Sequence, residues 1–339
     1  MIKKILVTGG LGFMGSDFIR LMLDTQPEIE IVNLDKETYA ANRANLKDYD
    51  QKSNYQLVVG DIAEAEAVNR AAQALDNQID AIINFAAETH VDRSIADPTA
   101  FLATAVQGTY QLLELAKRLK VRRYIQISTD EIFGEIESGG FTEESPVQPR
   151  SPYSAAKAAG DLLAMSYANT YELPVIVTHC CNNYGPFQYP EKLIPLALTN
   201  LIEGKSVPVY GDGLQTREWI FVRDHSLAIQ FLLTHGQTGE VYNIGSGVEK
   251  TNRELLSQLL EFTNLPASRL VTVQDRPGHD RRYAIDSHKL RSLGWQPQTS
   301  FSQGLAETVR FYQERSDWWE PIKQGEYKQY YQKQYRQAA

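Results

Sequence analysis

Ile5-Leu6-Val7-Thr8-Gly9-Gly10-Leu11-Gly12-Phe13-Met14-Gly15 decides the fold. A short β-branched run enters a glycine turn, and an apolar stretch with helical character, Phe13–Leu23, leaves it. Glycine is demanded here because the turn is tight, the main chain must approach a ligand closely, and strand and helix pack against each other. The helix opening at Phe13 aims free N–H groups and its positive dipole end at the turn, which suits a pyrophosphate. The same order repeats outward. Val- and Ile-rich runs recur at 29–34, 55–59, 81–85, 123–127 and 174–178, without the polar alternation of a half-solvated strand. Helical stretches lie between most of them, at 64–75, 98–119 and 152–171. Strand–helix alternation on this scale predicts right-handed βαβ units and a doubly wound parallel α/β sheet. The link from Asp35 to Tyr55 reads as loop with weak helix.

After about residue 180 the rhythm breaks. Turn formers crowd Asn182–Tyr189 and Tyr210–Gln215. Helices are expected at 192–203, 222–234, 252–262 and 303–315, and short strands at 207–210, 241–244 and 270–273. The expected organisation is a dinucleotide-binding domain over 1–180 with a returning segment at about 212–245. A smaller α/β substrate-binding domain then takes 181–211 and 246–339. The aromatic tail from Trp318 to Tyr335 is expected to dock as a terminal helix. With 42% hydrophobic and 22% charged residues, the 339-residue chain is neither disordered nor collagenous. A net charge of −8 argues against nucleic-acid polymers, while a few local arginines can still hold a small anion. Two adjacent cysteines, Cys180 and Cys181, exclude a disulfide scaffold or Cys-based zinc site and read as buried thiols in a reducing compartment. No run approaches membrane-span length, and the N-terminus lacks a signal-peptide pattern, so a cytoplasmic protein with no membrane partner is expected.

Asp35 ends the second strand, about 20 residues past the last glycine, placed to bind both ribose hydroxyls of an adenosine. A carboxylate there repels a 2′-phosphate and favours NAD over NADP; Lys36 weakens that preference a little. Gly60-Asp61-Ile62, after the third strand, fits an adenine contact. Ser151-Pro152-Tyr153-Ser154-Ala155-Ala156-Lys157 reads as an N-cap, a first-turn proline, and a Tyr and Lys one helical turn apart. A cationic lysine beside the phenol should lower its pKa and make Tyr153 a general base. The fifth strand ends in Ser128-Thr129-Asp130-Glu131, at the edge where such sheets bind ligands. An added acid and base imply proton transfers beyond alcohol oxidation, such as loss of water next to a ketone.

These motifs resemble those of the extended short-chain dehydrogenase/reductases, a Rossmann-type superfamily. Along essentially its whole length the chain looks like the dTDP-glucose 4,6-dehydratases within it. The resemblance is carried by residues 8–15, 86–94 (A-A-E-T-H-V-D-R-S), 128–134 (S-T-D-E-I-F-G), 151–157, 182–195 (N-N-Y-G-P-F-Q-Y-P-E-K-L-I-P) and 275–286 (D-R-P-G-H-D-R-R-Y-A-I-D). It implies an NAD-dependent hydro-lyase. Tyr153, helped by Lys157 and Thr129, would take the C4 hydroxyl proton as hydride leaves C4. Glu131 would remove the C5 proton, and Asp130, kept protonated while Glu131 is ionised, would protonate the leaving C6 hydroxyl. The resemblance also implies NAD contacts from Gly9, Gly12, Phe13, Met14, Gly15, Asp35, Lys36, Thr38, Asp61, Ile62, Phe85, Ala86, Ala87, Glu88, Thr104, Tyr153, Lys157 and Asn183. For the nucleotide-diphosphate sugar, dTDP-glucose, it implies Thr89, Thr129, Asn182, Lys192, Leu193, Pro208, Val209, Tyr210, Arg217, Asn252, Arg276 and His279. The two arginines suit the two phosphates. His90 and Asp92-Arg93 are expected to shape the site, and the histidines show no metal spacing, so no metal is expected. A homodimer on helices at about 100–119 and 153–170 is implied.

Four positions depart from the pattern. Ala105 stands in Thr104-Ala105-Val106-Gln107-Gly108-Thr109 where the superfamily usually has Asn; Gln107 could replace that amide only from a locally irregular helix. His179 stands where relatives carry Asn or Arg, Phe133 where Tyr is commoner, and Phe221 at another aromatic position. Rival readings are a 4,6-dehydratase for a UDP- or CDP-linked sugar, a 4-epimerase or decarboxylase of the same fold, and a non-catalytic NAD-binding scaffold. The relatives that epimerise lack the Asp-Glu pair.

Overall fold

A computed structural model describes residues 2–275 and 280–325. Six strands come first: β1 (Lys4–Thr8), β2 (Glu30–Asp35), β3 (Tyr55–Val59), β4 (Ala81–Asn84), β5 (Arg123–Thr129) and β6 (Val175–Cys180). The helices among them are α1 (Phe13–Thr25), α2 (Ala65–Gln73), α3 (Val91–Ala96), α4 (Thr99–Leu102), α5 (Thr109–Leu119) and α6 (Pro152–Tyr171). The second half adds β7 (Asn182–Tyr184), α7 (Leu193–Ile202), β8 (Val207–Tyr210), β9 (Thr216–Phe221), α8 (Val222–His235), β10 (Glu240–Ile244), β11 (Glu249–Thr251), α9 (Asn252–Thr263) and β12 (Leu270–Val273). Helices α10 (His288–Ser292), α11 (Phe301–Glu314) and α12 (Ser316–Gln324) close the described chain.

The main sheet is parallel, seven-stranded, in the order β10-β6-β5-β4-β1-β2-β3. Alternation along β1 shows how it is covered. Ile5 and Val7 pack with Phe18 and Ile19 of α1 and Ile229 of α8. Leu6, between them, packs with Ala67 of α2, Leu112 of α5 and Ala164 of α6. With both faces covered the strands are apolar throughout, the pattern that made them legible. A third core joins α7, α9, α11 and α12 to β8 and β9. Beside it lie a small β11-β9-β7 sheet and a β12-β8 pair.

Most expected elements fall where the pattern put them, and α6 spans the expected residues because a Ser151–Ser154 capping box starts it and Glu172 in the left-handed conformation ends it. Two expectations gain detail and two are corrected. The link after β2 contains two short 3₁₀ turns, Arg43–Asn45 and Lys47–Tyr49. The single helix expected over 98–119 is α4 and α5 joined by a π-helical turn, Ala103–Gly108. Strands β7, β9 and β11 had no sequence signal. Helix α12 docks within the expected tail, through buried Trp318 and Trp319, and the rest of that tail lies outside the described residues.

Candidate active site

The carboxyl ends of β1, β2, β3, β4, β5 and β6 open onto one cleft of about 260 Å³. At its floor is the glycine turn. Gly9 has φ +68°, and a Cβ there would lie 2.7 Å from the main chain of Ala86; one on Gly15 would lie 2.4 Å from the Gly9 carbonyl oxygen. Neither position has room for a side chain, and Gly9, Gly12 and Gly15 all line the cleft where a pyrophosphate would sit. Asp35 accepts from Leu11 N at 2.9 Å through Oδ2 and from Glu37 N at 2.8 Å through Oδ1, which fixes both oxygens and leaves each a lone pair. Asn183 donates through Nδ2 to the Cys181 carbonyl at 3.1 Å, while its buried Oδ1 is an acceptor with no partner among the described residues. The cradle, the ribose acid and this orphaned acceptor fit NAD.

Gly9, Gly12, Phe13, Met14, Gly15, Asp35, Lys36, Thr38, Asp61, Ile62, Phe85, Ala86, Ala87, Thr104, Tyr153, Lys157 and Asn183 all line the cleft. Glu88 joins it through Lys36, whose ammonium lies 3.0 Å from Glu88 and 3.5 Å from Asp61 and donates to Thr104 Oγ1 at 3.3 Å. Lys36 thus pairs with two carboxylates beside the end of β2.

The reacting end is built by β5 and α6. Thr129 caps a 3₁₀ turn, Asp130–Phe133, accepting from Glu131 N at 3.3 Å and donating to Asp130 Oδ1 at 3.3 Å. Asp130 is buried, and Oδ2 has no partner among the described residues. Burial first, then the nearby carboxylates of Glu131 and Glu218, push its carboxyl well above the ordinary aspartate range, which favours the protonated acid. Lys157 is buried and donates to the Ile127 carbonyl at 2.6 Å; burial lowers its ammonium pKa, with Asp161 opposing.

The expected lowering of the Tyr153 phenol is not seen in the protein alone. Burial and the negative charge of Glu131 push it well above the ordinary tyrosine value, and a hydrogen bond with Thr129 works the other way. Lys157 is turned to main chain and does not offset the burial. The irregularity at Ala103–Gly108 is real, but Gln107 on it is exposed, so it does not replace the missing amide. His179 is buried edge-on to Phe133, ring centroids 5.0 Å apart, with Nε2 3.6 Å from Asp161. Phe133 also stacks on Phe141, and Phe221 packs in the third core.

On the substrate side Thr89, Thr129, Asn182 and Lys192 line the cleft, and Lys192 donates to the Thr89 carbonyl at 2.6 Å. Leu193 starts α7 beside them. Pro208, Val209, Tyr210, Arg217 and Asn252 stand on β8, β9 and α9, outside the cleft wall. The Val209 side chain is spent in the third core. Arg217 donates to the carbonyls of Thr216 at 2.8 Å and Asp280 at 2.9 Å, with its guanidinium 4.2 Å from the Tyr283 ring centroid. Arg276 and His279 lie outside the described residues. Arg93, expected to shape the site, stacks 3.6 Å from the Tyr39 ring centroid, and Tyr39 donates to buried Glu191 at 3.0 Å; none of the three lines the cleft. Sequence reasoning missed the wall made by Cys180, Cys181, Gln188 and Tyr189. Both thiols are free and buried, and only their place before Asn182 hinted at the cleft. Among the described residues no helix is long and apolar enough to cross a membrane.

Residues 6–308 match the family model described as GDP-mannose 4,6 dehydratase. A dTDP-glucose 4,6-dehydratase of Streptomyces niveus is 49% identical over 325 residues, covering 94% of this chain and 96% of that protein. The crystal structure of DesIV, a dTDP-glucose 4,6-dehydratase from Streptomyces venezuelae with NAD and dTDP bound, superposes with a TM-score of 0.90 at 49% identity, covering 94% of this chain and 99% of that one. UDP-glucose 4-epimerase from Thermotoga maritima shares the fold with a TM-score of 0.85 at 27% identity, covering 92% of this chain and 99% of that one.

Proposed function

The chain belongs to the GDP-mannose 4,6-dehydratase family, and within it we propose that it is an NAD-dependent dTDP-glucose 4,6-dehydratase, as the Streptomyces niveus relative at 49% identity is named. The reaction oxidises the sugar at C4, removes water across C5–C6 and reduces C6, giving dTDP-4-dehydro-6-deoxy-glucose. NAD bound in the cleft supplies the hydride acceptor and donor, and its nicotinamide charge favours the phenolate of the neighbouring tyrosine.

Tyr153 receives the C4 hydroxyl proton, with Thr129 in the same cleft wall and Lys157 one helical turn further along α6. A ketone at C4 acidifies the C5 hydrogen, which Glu131 takes as a proton. Asp130 then gives its proton to the C6 hydroxyl, which leaves as water, and C5 is reprotonated as hydride returns to C6. Lys192 and Arg217 bring positive charge to the diphosphate, with Arg276 and His279 assigned by resemblance alone. The observation that carries this reading is Asp130, a buried carboxyl with an unpartnered oxygen among the described residues, next to Glu131 at the strand end and in the same cleft as Tyr153. An epimerase needs no such pair.

The lobes divide the work, the seven-stranded sheet holding the cofactor and the third core the nucleotide sugar. Two free buried thiols suit a reducing cytoplasm. A homodimer is proposed through α4, α5 and α6, which expose Leu102, Tyr110 and Leu162. Purified protein given dTDP-glucose should yield a 4-keto-6-deoxy product by NMR. Folded protein that forms no ketone would sink the proposal, and faster turnover of UDP- or CDP-glucose would move it to another nucleotide.

A further inference from the structure

The glycine turn is not held by its own lobe alone. Leu11, in the middle of that turn, has both main-chain groups occupied. Its N–H goes to Asp35; its carbonyl accepts from Asn42 N at 3.1 Å and from the Asn45 side-chain Nδ2 at 2.8 Å. Asn45 is buried and comes from the 3₁₀ turn after β2. Its other amide atom, Oδ1, accepts the indole N–H of Trp318 at 2.8 Å, from α12. The two residues are 273 positions apart. Trp318 is itself buried, edge-on to Phe187 at 5.6 Å between centroids. Phe187 carries the Arg20 guanidinium 4.2 Å from its ring centroid, and Arg20 donates back to the Asn45 carbonyl at 3.0 Å. Phe187 has φ +67°, a strained value for a non-glycine residue, and lies in the loop that leads to Lys192. The next residue, Gln188, donates to the Asn183 carbonyl at 2.9 Å.

We propose that Asn45 is a positioning residue that, through Trp318, ties the pyrophosphate turn to the substrate lobe, so that nucleotide-sugar binding there slows release of the dinucleotide. An asparagine suits the junction because one amide both donates to a carbonyl and accepts from an indole. Aspartate would lose the donor, and phenylalanine at 318 would lose the indole N–H with its ring shape largely kept. An enzyme that regenerates NAD each turnover gains from keeping it in place while sugar is bound. The inference rests on NAD occupying the glycine turn, and not on which sugar is converted.

The experiment is NAD release from full-length protein, followed as cofactor retained after dilution, with and without dTDP. Three variants are compared: Trp318→Phe, Asn45→Asp and Trp319→Phe. Trp319 is the control, a neighbouring buried indole whose N–H goes to the Tyr312 carbonyl at 2.8 Å and does not reach the turn. Losing one buried hydrogen bond should speed NAD release about three- to tenfold in Trp318→Phe and Asn45→Asp. It should also shrink the slowing that dTDP imposes, since coupling between sites is reciprocal. Trp319→Phe should lose thermal stability yet release NAD at the parent rate. Parent-like release and coupling in both strut variants, or identical behaviour of Trp318→Phe and Trp319→Phe, would overturn the inference. A parent protein that binds no NAD would overturn the cofactor reading beneath it.

Discussion

Asp130 shows what one carboxyl costs and gains by its position. Burial raises its pKa, so the acid form that serves the leaving hydroxyl is kept at low pH and disappears as pH rises through the raised value. The elimination rate should therefore fall on the alkaline side. Asp130→Asn should cut kcat by about 10²–10⁴ while C4 oxidation and NAD content persist, as a rapid-quench product analysis would show. Retention of parental kcat would remove Asp130 from the chemistry. The same variant carries a stability sign. The unfolded state ionises above about pH 4 while the folded one does not, so the native group costs stability as pH rises from there. Asparagine abolishes that loss, and the melting temperature at pH 7 should rise. At this scale the sequence was legible wherever chemistry needs one residue type at a strand end, as with Asp35 or Thr129-Asp130-Glu131. It was silent about Lys36, whose charge is cancelled by Glu88 from another strand end, and about Tyr153, whose phenol is set more by burial than by the lysine one turn away.

Helices with explicit punctuation were readable, and irregular ones were not. Ser151-Pro152 announces α6, whereas the π turn between α4 and α5 leaves no mark in hydrophobic spacing. Its cause is packing between elements. The Ala105 carbonyl lies where a Cβ on Gly160 would stand, 2.5 Å away, and Ile62 fills the space over Gly108. Gly160 lies inside α6, where alanine would ordinarily gain about 1 kcal/mol in helix propensity. The contact is with main chain and cannot rotate aside, so overpacking at roughly 1–3 kcal/mol wins. Gly160→Ala should lower the melting temperature. Because the displaced turn carries Thr104, bonded to Lys36 in the cofactor wall, NAD affinity should weaken as well. A melt showing unchanged or higher stability would mean that the π turn yields easily. Strands β7, β9 and β11 escaped detection for a related reason. Three to six residues long, they carry Asn, Glu, Arg and Lys among few apolar positions, and tertiary pairing alone makes them strands.

At the scale of the molecule, the −8 charge and the two-lobe plan leave open how the surface is used. The helix layer α3 to α6 carries the most exposed large apolar side chains of the chain's first half: Leu162 at 63%, Ile95 at 62% and Leu102 at 51%. Single exposed apolar residues need no explanation, but several on neighbouring helices of one face mark an interaction surface. A second copy is the occupant proposed, because two-fold pairing would let one helix face cover its own equivalent. Helix α6 also carries Tyr153 and Lys157 on its inner side, so pairing there would stiffen the catalytic helix without obstructing the cleft. Light scattering should give twice the monomer mass for the parent. Leu162→Arg should give the monomer mass, with far-UV circular dichroism intact and kcat reduced, because two unpaired guanidinium groups would face each other across the two-fold axis. A parent that scatters as a monomer, or a Leu162→Arg variant that stays paired, would assign this face to some other partner.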